Sequence, residues 1–135
     1  MDSAQGMPKK MPKPQPKPEH EDKDNVAKAA WLKGATAQKA ELGKEIDNAH
    51  ALLMVLKTKA EKGMISKAYI GKLTSAVGKM QVVREKVLSK IVQANSLVSE
   101  VWAKNSSFQG QVDESIACLA MFRGQLKPEM TKLAA

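Results

Sequence analysis

From Leu42 onward, apolar residues recur at alternating steps of four and three: Leu42, Ile46, Ala49, Leu53, Leu56 and Ala60. A second run follows the same rhythm through Ile70, Leu73, Val77, Met80, Val87, Ile91, Ala94, Val98 and Val101, with Arg84 as the one charged residue on its seam. Steps that average near 3.5 put every one of these side chains on a single stripe of an α-helix. A strand would need strict alternation, and no such stretch is visible. Two long apolar stripes are buried by packing helix on helix, which confines the chain to all-α architectures. Trp31 and Ala35 prolong the first stripe. Val83, Leu88, Leu97 and Trp102 widen the second, so that helix needs two neighbours rather than one.

Helix ends are marked by local chemistry. Asp24 or Asn25 can cap the first helix, Lys62-Gly63 forms a stop, and Ser66 can cap the second. Asn105-Ser106-Ser107 breaks the second helix, and Ser106 with Gln109 forms a capping box. The third stripe is Phe108, Val112, Leu119, Phe122 and Leu126, flanked by Ile116; Pro128 ends or kinks it, and Met130 and Leu133 could continue the stripe for one more turn. The spacing thus predicts an antiparallel up-down-up three-helix bundle over residues 26–135, with helices at about 26–62, 66–104 and 107–127, the first two long and the third shorter. Trp31, Trp102 and Phe108 fall at one end of this layout and are expected to meet there as an aromatic plug.

Residues 1–25 differ in composition. Pro8, Pro12, Pro14, Pro16 and Pro18 stand among equal numbers of lysines and acids, so the whole net charge of +8 falls on the helical part. Alternating prolines predict an extended or disordered Pro/Lys-rich tail. Their spacing contains no PxxP, which favours a tether over an SH3 ligand.

Chemistry-bearing residues are sparse. His20 stands in the tail and His50 beside the first seam, and Cys118 fits a packing role on the third helix. No glycine-rich phosphate loop, HExxH, CxxC, GxSxG or EF-hand pattern occurs. The expectation is a protein without catalytic residues, metal, cofactor or small-molecule substrate. A single cysteine excludes an internal disulfide and suits a reducing compartment. The longest apolar run, Ala51–Leu56, is too short to span a bilayer. An intracellular location, cytoplasmic or nuclear, is therefore expected, with membrane association disfavoured.

Charge placement carries the functional expectation. Between Asp47 and Glu85 the only acid is Glu61, against Lys57, Lys59, Lys62, Lys67, Lys72, Lys79 and Arg84. Ordinary exposed helices interleave signs to gain i,i+4 pairs, and this stretch does not. A hairpin folded at Gly63 would gather these cations at one end, and Lys72, Lys79 and Lys86 repeat every seven residues as an outward stripe joined by Lys90. A third helix ending at Pro128 would leave the hairpin half uncovered, exposing an apolar seam of Leu53, Leu56, Ile65, Ile70 and Leu73. The sequence therefore predicts a non-catalytic interaction or adaptor protein. It would dock through the basic hairpin and the apolar seam onto an acidic protein surface or assembly, or self-associate. The alternative is nucleic-acid binding directed at the RNA or DNA backbone and indifferent to sequence, since lysines supply phosphate contacts and the scarce arginines, Arg84 and Arg123, limit base reading.

Overall fold

The computed structural model describes residues 19–135, with side chains placed from Lys23 onward. The expectation for the tail before Glu19 falls outside the described residues, and His20 falls in the first turn of the first helix with its side chain outside them. Helix α1 runs Glu19–Glu61, α2 Lys67–Ser96, α3 Ser99–Ala103, α4 Ser107–Met121 and α5 Lys127–Ala134, and a π-helical turn, Phe122–Leu126, joins α4 to α5. The described residues are helical apart from short turns and contain no strand. Helix α1 begins several residues earlier than expected, because Pro18 is the last of the closely spaced prolines and every residue of Glu19–Glu61 carries an N–H donor.

The α1–α2 turn is built as the sequence requires. The Gly63 N–H bonds the Ala60 carbonyl and the Met64 N–H bonds the Lys59 carbonyl, the paired bonds of a Schellman motif. That motif needs a left-handed residue, and Gly63 has φ +77°. Ser66 then opens α2 by accepting from the Ala68 and Tyr69 N–H groups. Gly63→Ala is expected to lower the unfolding free energy by about 1–2 kcal/mol, read as a shifted urea midpoint, since a Cβ disfavours this backbone region.

Three contacts show how α1 and α2 run. Lys28 donates to the Leu97 carbonyl, Gly43 lies against Arg84, and Ala60 shares a core with Ile70, so the numbers descend on one helix as they ascend on the other. Gly43 has a specific use here: a Cβ would sit 3.4 Å from the Arg84 guanidinium, so its absence lets that half-buried side chain pass between the helices.

Two expectations are corrected in the second half of the chain. Helix α2 does not run to residue 104. Leu97 and Val98 adopt extended backbone, and the separate short helix α3 follows. The break lets Trp102 turn inward: its ring lies 6.0 Å from Trp31 and 5.9 Å from Phe108, and Trp31 and Phe108 meet edge to face at 5.2 Å. The three aromatics meet as their sequence positions imply, and the Trp31 Nε1–H donates to the Phe108 carbonyl at 2.7 Å. Helix α4 is capped by Asn105 rather than by a Ser106 box, since the Asn105 Oδ1 accepts from both the N–H and the hydroxyl of Ser107.

The larger correction concerns Pro128. Proline has no N–H, and its ring collides with the carbonyl four residues back in a regular α-helix. The chain accommodates it with a wider turn: the Lys127 N–H bonds the Phe122 carbonyl five residues back, and Pro128 falls in the first turn of α5, where its missing donor goes unneeded. The helix therefore carries on to Ala134. Trp31 meets Phe108, Glu45 meets Arg123 and Lys127, and Lys59 meets Leu133, so this C-terminal segment ascends with α1 along the hairpin.

That continuation closes the hairpin half. Phe122 and Met130 are fully buried among Leu53, Leu56, Ile70 and Leu73, with Leu126 and Leu133 packed beside them. The apolar seam expected to lie open is thus core; Ile65, half-buried at the turn, packs on its edge. Burying such Leu or Met side chains contributes about 1.5–3 kcal/mol each, so the segment after Pro128 is held by the same force it serves.

Candidate functional site

The cations singled out in the sequence divide into two groups. Lys57, Lys62, Lys67, Lys72 and Lys79 are exposed and make no ion pair or side-chain hydrogen bond among the described residues. Lys57 sits in the last turns of α1, Lys62 at the turn, Lys67 and Lys72 in the first two turns of α2, and Lys79 about three turns into it. The Schellman turn fixes the ends of α1 and α2 side by side, so Lys57, Lys62 and Lys67 are carried by rigid backbone near the turn rather than by a flexible loop. Lys132 joins them from α5, which reaches this end through the Lys59 contact with Leu133. Glu61 and Glu129 are the acids nearby, and Glu129 is turned to Tyr69, where its carboxylate and burial hold the phenol up to about 12.

Of the other four, Lys59, Lys86 and Lys90 have intramolecular partners and Arg84 is half-buried without one. The Lys59 ammonium donates to the Leu133 and Ala135 backbone oxygens at 2.8 and 2.7 Å, placing a cation where the carbonyls of α5 end. Arg84 is half-buried at Gly43, its Nε without a hydrogen-bond partner. Lys86 pairs with Glu114 at 3.5 Å. Lys90 donates to the Ser107 hydroxyl and lies 5.2 Å from the centre of the Phe108 ring. The lysine stripe of α2 is therefore occupied in its second half and unoccupied at Lys72 and Lys79.

Sequence reasoning missed the most buried ionic group. The Glu45 side chain is 3% exposed and accepts from Arg123, from Lys127 at 3.1 Å and from the Asn48 amide at 3.0 Å. Burial pushes its carboxyl up, but the Arg123 guanidinium, the Asn48 amide and the Lys127 ammonium overcome this and hold it at about 2. Arg123 also reaches Glu41 at 2.9 Å, and these bonds raise the pKa of its guanidinium. A signal was present: Glu41 and Glu45 are four apart, as are Arg123 and Lys127, two matched ladders on different helices. Their position at the α4–α5 joint makes this network a latch for the C-terminal segment.

His50 is exposed on α1. Cys118 is half-buried between α2 and α4, and burial together with the Glu114 charge pushes its thiol up, away from nucleophilic reactivity. Among the described residues no group of three or more His, Cys, Asp or Glu side chains is placed to hold a metal ion. No helix among them is long and apolar enough to cross a membrane. Compared with known proteins, the chain matches no family model, no curated protein and no solved structure.

Proposed function

We propose that the chain is a non-catalytic interaction protein, built as an up-down-up three-helix bundle, that docks the lysine-lined end of its hairpin onto the acidic surface of a protein partner inside the cell. The observation that carries this reading is the group of exposed, unpaired lysines: Lys57, Lys62, Lys67, Lys72 and Lys79. Between Asp47 and Glu85 the one acid is Glu61, whereas the ion pairs of the fold, such as those at Glu45 and Glu114, involve acids outside that stretch. The seam beneath is buried, so recognition at this end is electrostatic, with association that is steered and salt-sensitive.

Binding to a nucleic-acid backbone is the second reading, supported by the same lysines. Two features count against it. Of the two arginines, the better base readers, Arg123 is paired with Glu41 and Glu45 and Arg84 is half-buried against Gly43, and Tyr69, the aromatic at this end, is half-buried with Glu129 beside it. Fluorescence anisotropy with a labelled polyglutamate peptide and a labelled single-stranded RNA of equal length tests the choice. The expected outcome is tighter binding to polyglutamate, weakened by salt, and reduced at least tenfold in a variant carrying Glu at 57, 62, 67 and 72 together. Tighter RNA binding would reverse the ranking, and unchanged affinity in the variant would remove both readings.

A further inference from the structure

We infer that the groove between α2 and α4 is the seat for an acidic amphipathic helix of the partner, about three turns long. This deepens the docking reading above and rests on it. The groove encloses about 510 Å³. Its floor is apolar, formed by Met80, Val83, Cys118, Phe122 and Leu126. Val82 on α2 and Met121 on α4 stand at its rims with 54% and 60% of their surface in water, next to the apolar floor. Ala117 leaves the α4 wall low enough for another backbone to approach.

Charge decides the occupant. Lys79 and Lys86 line the α2 side of the groove, and Lys72 continues the same flank at the same seven-residue spacing. Lys86 already shares Glu114, whereas Lys72 and Lys79 have no partner among the described residues. A helix lying along α2 would answer them with carboxylates two turns apart, beside an apolar face set into the floor. A second copy of this chain does not fit, because a two-fold contact would set the basic flank against itself. The sequence before Glu19 does not supply the complement either, with Lys9, Lys10, Lys13 and Lys17 against Asp2 alone.

The test uses the full chain and a synthetic peptide of roughly 14 residues with Leu on one face and Glu flanking it at seven-residue spacing. The peptide is expected to bind, to slow alkylation of Cys118 by N-ethylmaleimide at least fivefold, and to lose affinity about tenfold against Ala117→Trp, which fills the groove from an exposed position. Met121→Glu serves as a second variant, and circular dichroism verifies that both stay folded. A version with Lys for Glu is expected not to bind. Polyglutamate binding that still depends on the hairpin lysines, with a peptide that neither protects Cys118 nor responds to Ala117→Trp, overturns the groove assignment and leaves the docking reading standing. Protection of Cys118 by dodecanoate but not by the peptide overturns it in favour of a lipid. Self-association that Ala117→Trp disrupts overturns it in favour of a second copy.

Discussion

Phe122→Ala is expected to lower the unfolding free energy by about 3–5 kcal/mol, measured by urea denaturation. Phe122 is 1% exposed and sits where α4 gives way to the π turn, packed with Met130 over the hairpin core. Its removal leaves a cavity between elements far apart in sequence, which a straight helix cannot collapse to fill. Total stabilities of single domains run about 5–15 kcal/mol, so this one truncation would consume a large share. The neighbouring Met121→Ala, at a position 60% exposed, is expected to stay within about 0.5 kcal/mol. Equal effects at the two positions would mean that the C-terminal segment does not cover the hairpin.

The second large effect concerns Glu45, and it depends on pH. Its carboxyl lies at about 2 in the folded chain, against an ordinary value of 4.5. A depressed carboxyl stabilises the fold above the unfolded value and loses that contribution as pH falls toward the folded one. The wild-type chain should therefore lose stability between about pH 4.5 and pH 2 as this group is protonated. In Arg123→Ala/Lys127→Ala, burial is opposed by Asn48 alone, and the carboxyl is expected above its ordinary value. The sign then inverts, with this group favouring the fold at low pH and opposing it as pH rises past 4.5. Arg123 and Lys127 are about two-fifths exposed and screened by water, so the loss at pH 7 is about 2–3 kcal/mol, below that for a fully buried pair. Urea midpoints at pH 3 and pH 7 check this: the gap between wild type and variant should be wide at pH 7 and clearly narrower at pH 3, closing only as pH falls to the folded value of about 2. Lys104→Ala, which removes an exposed pair with Glu100, should change neither by more than about 0.5 kcal/mol.

Local rules and long-range rules were unequally legible. The seams through Leu42–Ala60 and Ile70–Ala94 could be read because a helical period repeats in neighbouring residues, and nearly all of those positions are buried. The Gly63 stop and the Ser66 cap were legible because each is fixed by residues within one turn. Pro128 left an end, a kink and a continuation all open for the opposite reason. Whether a proline ends a helix depends on whether packing holds the helix together past it, and Met130 and Leu133 find their partners on α1 and α2, some seventy residues earlier. The break at Leu97 is the same kind of event, set by the inward turn of Trp102 toward Trp31 rather than by a local breaker.

The candidate site divides likewise. That lysines crowd the hairpin was plain from the missing acids around Gly63. Which of them remain unpaired was not, because Lys59, Lys86 and Lys90 are engaged by residues of the C-terminal segment, whose register no local pattern reveals. The same register hid the Glu45 network and brought Glu129 to Tyr69.

The proposal stands on the hairpin end being the surface an acidic partner touches, and lysine footprinting measures that surface directly. Reductive methylation of the full chain, read residue by residue by mass spectrometry with and without polyglutamate, should show protection of Lys57, Lys62, Lys67, Lys72 and Lys79. Lys33 and Lys44, exposed on α1 away from the turn, should be modified at the same rate in both conditions. Uniform protection along the chain, or protection confined to Lys33 and Lys44, would contradict it.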